Sequence, residues 1–162
     1  MVVPTYDADG NLVTDPVTGA SANGFDAEGH AVELEGIAVI YDALGRAVEA
    51  GDSQGTAEFL YGPAGGKLAV MSGQTLLRAD VPLPGGGTAV YNAGGLQYYT
   101  HADGLGSTRL ASTPDHAVYY AAALAPYGET YAPTGSTNPS VGSFTGQHQD
   151  IVGGQYDFLM RE

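Results

Sequence analysis

Short runs of alternating apolar and polar residues recur along the chain, and clusters of Asp, Gly and Pro separate them. Alternation with a period of two is typical of a β-strand that buries one face. The best helical candidate, residues 118–124, begins with β-branched and aromatic side chains. Pro126 and Gly128 follow it, so a strand suits it equally well. The pattern therefore predicts an all-β protein.

Four segments repeat one pattern, in which an aromatic residue precedes an Asp/Gly turn and an alternating strand. They begin at Tyr6, Phe25, Tyr41 and Tyr61, which are 19, 16 and 20 residues apart. An Asp at the start of the turn can accept a hydrogen bond from the backbone N–H two residues on, and the Gly three residues later can adopt a positive φ. We expect consecutive antiparallel β-hairpins that form a curled, spiralling sheet.

The organisation along the chain follows from these repeats. Residues 1–36 are predicted to be degenerate hairpin repeats, and residues 37–162 a single continuous β unit. Looser copies of the turn lie at 102–106 and 113–118. The Pro/Gly-rich stretch 81–87 predicts a loop or a sharp corner, and residues 131–143 predict a long irregular connection.

Composition excludes several classes of protein. The chain has 162 residues, no Cys and a net charge of −13, and eleven of its eighteen acidic residues lie in residues 1–60. The absence of Cys excludes disulfides and thiolate metal sites. Scattered bases on a polyanion argue against binding to nucleic acid. No apolar run approaches the roughly 18 residues of a membrane span, and the first residues lack the regions of a signal peptide, so we expect any export signal to lie outside this chain.

Two groups of residues are candidates for chemistry. Oxygen ligands at the first turn suggest weak calcium binding, although Leu12 and Thr18 stand where an EF-hand needs Gly and Glu; the candidate ligands are Asp7, Asp9, Asn11 and Asp15. The four histidines have no spacing that predicts a metal site. Tyrosines could also form a platform for carbohydrate, although packing within a sheet is the alternative; they are Tyr91, Tyr98, Tyr99, Tyr119, Tyr120, Tyr127 and Tyr131.

The repeats resemble the YD repeats of Rhs proteins, and the repeat at Tyr41, Asp42, Gly45 and Arg46 is close to the consensus. The second half resembles the Rhs repeat-associated core in four stretches that have the order and spacing of that family. These are Tyr98–Leu110 with His101, Asp103, Gly106, Ser107 and Arg109; Ala125–Glu129 with Tyr127 and Gly128; Phe144–Asp150 with Gly146 and Gln147; and Tyr156–Glu162 with Asp157 and Arg161.

The resemblance implies a scaffold instead of a catalyst, because repeats of this family build hollow β-shells that commonly enclose a toxin. It also implies that His101, Asp103 and Ser107 belong to a structural hairpin, in which Asp103 pairs with Arg109, and not to a catalytic triad. The sequence lacks the family's self-cleavage segment and any toxin. We therefore expect a non-enzymatic scaffold segment of a secreted or cell-surface bacterial protein, with no cofactor except weakly bound calcium.

Two alternatives remain open. The open edges of a short sheet could pair with further copies of the chain, which would make the protein a self-assembling subunit. Exposed tyrosines along one groove would instead indicate a carbohydrate-binding or adhesion module. Expected partners are therefore neighbouring Rhs repeats, further copies of the chain, or carbohydrate.

Overall fold

The computed structural model describes residues 3–15, 19, 22–136, 141–152 and 156–157, and the described residues form fourteen β-strands. Strands β1 and β2 form a two-stranded sheet, and β3 to β14 form a twelve-stranded antiparallel sheet in strict chain order that does not close into a barrel. The strands are β1 Thr5–Tyr6, β2 Leu12–Thr14, β3 Ala22–Phe25, β4 Ala31–Leu34, β5 Ile37–Tyr41, β6 Ala47–Asp52, β7 Gly55–Tyr61, β8 Lys67–Ser72, β9 Thr75–Pro82, β10 Gly87–Asn92, β11 Gly95–Ala102, β12 Thr108–Ser112, β13 Val118–Leu124 and β14 Thr130–Gly135.

The all-β prediction is confirmed, and so is the formation of consecutive antiparallel hairpins. Strands β4 and β5, which flank residue 36, pair with each other, and the break between the two sheets falls between β2 and β3. The division at residue 36 therefore stays a prediction. Within the described ranges, no helix has the length and apolar character that a membrane span requires.

Five-residue loops with one hydrogen-bond pattern join the hairpins. In each loop the first N–H donates to the fifth carbonyl, and the fourth N–H donates to the first carbonyl. The fourth residue has a φ between 67° and 93° in every one of them. In the described part of the chain, eight loops share this pattern: Asp7–Asn11, Asp26–His30, Asp42–Arg46, Gly62–Gly66, Leu83–Gly87, Asp103–Ser107, Thr113–Ala117 and Ala125–Glu129.

The aspartates of the turns have the predicted role and a second one. Asp42 accepts hydrogen bonds from the N–H groups of Leu44 and Arg46 with one oxygen, and the Arg46 side chain binds the other. Asp103 is bound in the same way by Leu105 and Ser107, and Arg109 supplies the side chain at 2.9 Å, as the resemblance implied. Both oxygens of each carboxylate therefore accept hydrogen bonds that stabilise the hairpin. These hydrogen bonds lower the pKa of both Asp42 and Asp103.

One face of the large sheet carries a row of buried residues. Cross-strand partners place Val39 beside Ala50, Phe59 beside Val70, and Tyr98 beside Val90, and the row ends where Ala111 faces Tyr120. Residues 141–152 and 156–157, which we call the covering segment, lie over this face. Ile151 and Val152 join the core cluster around Phe59, and Val141 joins the cluster around Tyr98. The core therefore lies between the sheet and the covering segment.

One of the two expectations about irregular stretches needs correction. Residues 131–143 were predicted to be an irregular connection, but Thr130–Gly135 form β14, which pairs with β13 across a register shift. Ala132, with a φ of 48°, and Pro133 lie at this shift, which lets a Pro-containing segment join a sheet edge. Residues 137–140 lie outside the described residues. The stretch 81–87 forms the end of β9, a loop and the start of β10, in agreement with the predicted loop.

We predict that Gly45→Ala destabilises the protein by about 1–2 kcal/mol, because a φ of 73° brings a Cβ close to the following carbonyl oxygen. Urea unfolding followed by circular dichroism measures this change. Gly55→Ala is the matched control, since no atom lies within 4 Å of the added Cβ and the φ is not positive. Equal losses for the two variants would contradict the assigned role of the loop.

Candidate functional site

The buried row contains a charged interruption on β9. Arg78 lies directly beside Val70, and Asp80 lies directly beside Val90. Arg78 is buried, whereas Leu77 and Val81 on the opposite face are 49% and 45% exposed. Strand β9 therefore turns its charged side chains inward and its apolar ones outward. The buried guanidinium of Arg78 needs a partner of opposite charge, because an unpaired buried charge is strongly unfavourable.

The covering segment supplies that partner through Asp150. One Asp150 oxygen accepts a hydrogen bond from Arg78 Nη1, and the other accepts one from Arg78 Nη2 at 2.8 Å. The second oxygen also binds Lys67 Nζ at 2.8 Å, and Arg78 Nε donates to Asp80 at 2.8 Å. The Asp150 side chain is 3% exposed. This bidentate geometry is the strongest arrangement available to an arginine and a carboxylate.

A second carboxylate, Asp157, completes the network. It accepts hydrogen bonds from Lys67 Nζ at 2.9 Å and from the backbone N–H groups of Asp150 and Ile151. Its own N–H donates to the carbonyl of His148 at 2.8 Å. Asp157 therefore folds the covering segment back on itself and also ties it to β8. We call Lys67, Arg78, Asp80, Asp150 and Asp157 the ion network.

The ion network has three carboxylates and two cations, which leaves one excess negative charge. Burial by itself would lower the pKa of Lys67 and Arg78, but their carboxylate neighbours outweigh it and raise both pKa values. Burial would raise the pKa of Asp150, but Arg78 and Lys67 hold it well below the usual range. For Asp157 burial dominates and raises the pKa. Asp157 is therefore a carboxylate whose charged form is disfavoured by its surroundings.

His148 lies beside the ion network and is neutral at pH 7. Burial, followed by the positive charge of Arg78, lowers its pKa to about 4, although Asp150 and Asp80 act in the opposite direction. Its Nδ1 is buried without a hydrogen-bond partner among the described residues. A protonated imidazole here would be repelled by the positive charges of Arg78 and Lys67, so the site favours the neutral ring.

Two cavities flank the ion network. One, of about 250 Å³, is lined on the loop side by Lys67, Asp80, Thr100, His148 and Asp157, among others. The other, of about 240 Å³, lies towards the opposite strand ends and is lined by Arg78, Asp150 and three tyrosines, which are Tyr91, Tyr98 and Tyr119. The remaining tyrosines of the proposed carbohydrate platform, Tyr99, Tyr120, Tyr127 and Tyr131, line neither cavity. Neither of these two cavities therefore brings the seven tyrosines together.

Stretches singled out by the resemblance meet at the covering segment. An ideal Cβ on Gly128 would lie 2.8 Å from Phe144 and 2.9 Å from Tyr156, so this position requires glycine. Phe144 and Tyr156 pack with their ring centroids 5.7 Å apart, and the Tyr156 hydroxyl donates to the Gly128 carbonyl. The Gly128 loop therefore contacts the covering segment, and its neighbour Tyr127 is 85% exposed.

A second contact joins the Asp103–Ser107 loop to the same segment. Ser107 Oγ accepts a hydrogen bond from the Thr145 N–H at 3.0 Å, and Thr108 Oγ1 lies 2.8 Å from Ser143 Oγ. An ideal Cβ on Gly106 would lie 3.4 Å from the backbone N of Gly146. Phe144 and Gln147 form a β-bridge that closes the turn between them. Arg161 lies outside the described residues.

The residues considered for a catalytic triad have separate partners. His101 Nε2 lies 2.9 Å from Ser112 Oγ, Asp103 binds Arg109, and the Ser107 hydroxyl binds the covering segment. These contacts are those of a structural hairpin. The expectation that the protein is not an enzyme remains a proposal.

The residues considered for calcium binding form the first loop. Asp7 accepts hydrogen bonds from the N–H groups of Asp9 and Asn11 with one oxygen and from Asn11 Nδ2 with the other. Asp15 is part of the connection that follows β2, and its carbonyl accepts a hydrogen bond from Gly19. Calcium binding at these residues stays a prediction.

Another group with metal-binding atoms lies in the second loop. Within the described ranges, one atom each from Asp26, Glu28 and His30 lies within 4.8 Å of the others. His30 Nδ1 is 2.8 Å from Asp26, which matches the Asn11–Asp7 and Arg46–Asp42 pairs of the neighbouring loops. This group is therefore accounted for by closure of the loop. Its Asp-x-Glu-x-His alternation was the signal that sequence reasoning missed.

Sequence reasoning also missed most of the ion network. Of its five members only Asp157 was singled out, as a structural motif residue. Lys67 and Arg78 are two of only five basic residues in a chain with a net charge of −13. Arg78 and Asp80 stand at alternate positions of a strand, which places both on one face. Those two facts were the available signals, and neither indicates that the partners lie 72 to 90 residues further along the chain.

No protein-family model matches the sequence. No curated protein matches it either. Among solved structures, the chain is similar to the Tc holotoxin pore of Photorhabdus luminescens with a mutant TccC3, at 14% identity and a TM-score of 0.50 over 91% of this chain and 11% of that chain. It is also similar to a TcdB2-TccC3-Cdc42 structure, at 15% identity and a TM-score of 0.50 over 86% of this chain and 9% of that chain.

These comparisons establish a shared fold. Both solved chains are about ten times longer than the part that this protein matches. The likeness agrees with the Rhs-like architecture that the sequence resemblance implied. At this level of identity it carries no activity, partner or residue role from those proteins to this one.

We predict that Asp150→Asn lowers the free energy of unfolding by about 3–5 kcal/mol, because it leaves two buried cations without their shared carboxylate. Guanidinium unfolding followed by tyrosine fluorescence measures the loss. Asp9→Asn, at an exposed position, is the control and should stay within about 0.5 kcal/mol of the wild type. A loss at Asp150 no larger than that of the control would show that the network contributes little.

A second prediction concerns pH. The pKa of His148 is about 4 in the folded protein and about 6.5 in an unfolded chain, so the unfolded state takes up the proton first as the pH falls. Above about pH 6.5, His148 does not lower the free energy of unfolding. As the pH falls from about 6.5 to 4, His148 lowers that free energy progressively, by about 3 kcal/mol in all.

His148→Gln should flatten the pH dependence of the unfolding free energy in that window, as measured by urea unfolding at a series of pH values. The raised pKa of Asp157 acts with the opposite sign, so the difference between the variant and the wild type is the quantity to compare. His101→Gln, at an exposed position, is the control. Parallel pH profiles for His148→Gln and the wild type would contradict the prediction.

Proposed function

We propose that this chain is a non-enzymatic β-scaffold segment of the Rhs/YD-repeat type. The observation that supports this most directly is the buried face of the large sheet, to which the covering segment is held by the ion network. The candidate polar residues are engaged in holding loops and segments together. The shared fold with parts of two Tc toxin structures agrees with such a role.

The proposed setting is a secreted or cell-surface bacterial protein of the shell-building, toxin-associated type. This part rests on the sequence resemblance, in which repeats and core segment build a shell around a cargo. The matched portion is about a tenth of each solved chain, which agrees with one segment of a larger wall. Further repeats are the partners that such a segment requires.

Self-assembly through β14 is less well supported, because this edge strand carries features that oppose pairing. Pro133 lacks an N–H donor, and Ala132 has a φ of 48° at a shift in register. Prolines and bulges on edge strands hinder the addition of another strand. The net charge of −13 also opposes close packing of identical copies.

Carbohydrate binding has less support still. Tyr98 stacks on Tyr119 with ring centroids 4.7 Å apart, so each ring uses one face for packing inside the protein. A sugar platform would require free ring faces along one groove.

We predict that the purified chain is a 16.5 kDa monomer in light scattering, with or without millimolar calcium. Light scattering reports a mass averaged over all particles, so negative-stain imaging is the control that would detect fibres. Ordered fibres or uniform oligomers would replace the scaffold-segment proposal with self-assembly. A calcium-dependent change in mass would assign the acidic loops a role in that assembly.

A further inference from the structure

Successive hairpins in the first half of the sheet contact one another through a repeated aromatic ladder. The aromatic residue before one loop packs on the side chain at the fifth position of the preceding loop. Tyr41 stacks on His30 with ring centroids 4.7 Å apart and an interplanar angle of 20°, and Arg46 lies 4.8 Å from the centroid of the Tyr61 ring. The same relation therefore occurs twice, with different chemistry at the fifth position.

A hydrogen bond accompanies each contact. The Tyr41 hydroxyl donates to the carbonyl of Ala31 at 2.9 Å, and the Tyr61 hydroxyl donates to that of Ala47 at 2.8 Å. Ala31 and Ala47 both directly follow the fifth residue of the preceding loop. Each tyrosine thus recognises two consecutive residues, one through its ring and the next through its hydroxyl.

The ladder also has an open position. Tyr6 stands directly before the first loop, as Tyr41 and Tyr61 stand before theirs, yet it is 60% exposed, whereas the other two are half-buried. Among the described residues, no ring or cation packs against it. The same hairpin exposes Leu12 by 41%, and Val3 beside it is 67% exposed. Tyr6 is therefore placed to make the contact that Tyr41 and Tyr61 make, and among the described residues it has no partner for it.

We propose that the β1–β2 hairpin, with Tyr6 as its anchor, is a docking surface for one further YD-type hairpin with a basic residue at the fifth position of its loop. The Tyr6 ring would take the guanidinium, and its hydroxyl would bind the next carbonyl. This inference rests on the proposed scaffold role and names the partner of that scaffold.

Charge favours arginine at that position over histidine, the other side chain found there in the ladder. Residues 1–60 contain eleven acidic residues and one base, Arg46. A guanidinium over an exposed tyrosine gains about 0.5–1 kcal/mol, and it would also reduce the local excess of negative charge. A second copy of this chain fits less well, because its free β14 edge carries Pro133 and presents no loop of the ladder.

The test extends the full chain by a copy of its own third hairpin. Residues 37–55 are placed directly before Met1. The sequence separation between the added Arg46 and Tyr6 then equals that between the native Arg46 and Tyr61. Hydrogen exchange is measured at the Asp7 and Gly10 amides, which close the first loop. We expect exchange at these amides to slow at least tenfold in the extended chain relative to the parent.

The added copy also supplies its own controls. Arg46→Ala in the copy alone, or Tyr6→Ala in the extended chain, should restore most of the parental exchange rate, whereas Tyr131→Ala, at a residue 57% exposed near the far edge, should not. Unchanged exchange on extension, or protection that survives both Arg46→Ala and Tyr6→Ala, would overturn the inference. If strands β5 to β13 of the parent exchanged rapidly, the scaffold proposal itself would fail, and this inference with it.

Discussion

The carboxylate of Asp150 holds the two halves of the buried face together. It lies between Lys67 and Arg78, and the covering segment that carries it also contributes Ile151 and Val152 to one core cluster and Val141 to the other. Without this carboxylate, Arg78 would keep only Asp80 as a partner, and its two buried Nη groups would lose theirs, which costs about 3–5 kcal/mol. The sheet and its cover are therefore mutually dependent.

We expect the ion network to favour one position of the covering segment on the sheet over similar ones. An open sheet of near-identical hairpins is weakly specified in register, because one hairpin resembles the next. The charged pair on β9 marks one strand as distinct, and the bidentate geometry accepts the covering segment in one position only. The contacts of Gly128 with Phe144 and of Ser107 with Thr145 fix the other end of that segment. These features suit the scaffold role that we propose.

The local elements were readily predicted from the sequence, because their causes are local. An Asp followed three residues later by Gly fixes a five-residue loop through hydrogen bonds that span at most four residues. The Asp103–Arg109 pair likewise lies within one hairpin. The loops Leu83–Gly87 and Ala125–Glu129 have the same backbone without the Asp, so their membership in the series was not evident. Strand β14 was missed because Pro133 and Gly135 are typical of irregular segments, and only the register shift beside β13 accommodates them.

The sequence by itself determined the all-β class, the order of the hairpins and the role of the aspartates in the turns, since each depends on residues a few positions apart. Only the tertiary structure decided which face of β9 is buried, why Arg78 lies inside while Leu77 lies outside, and which residues neutralise it. The physical reason is distance along the chain: Asp150 lies 72 residues from Arg78 and 83 from Lys67. No local pattern encodes a pairing between charges so far apart, and it exists only once the covering segment packs on the sheet.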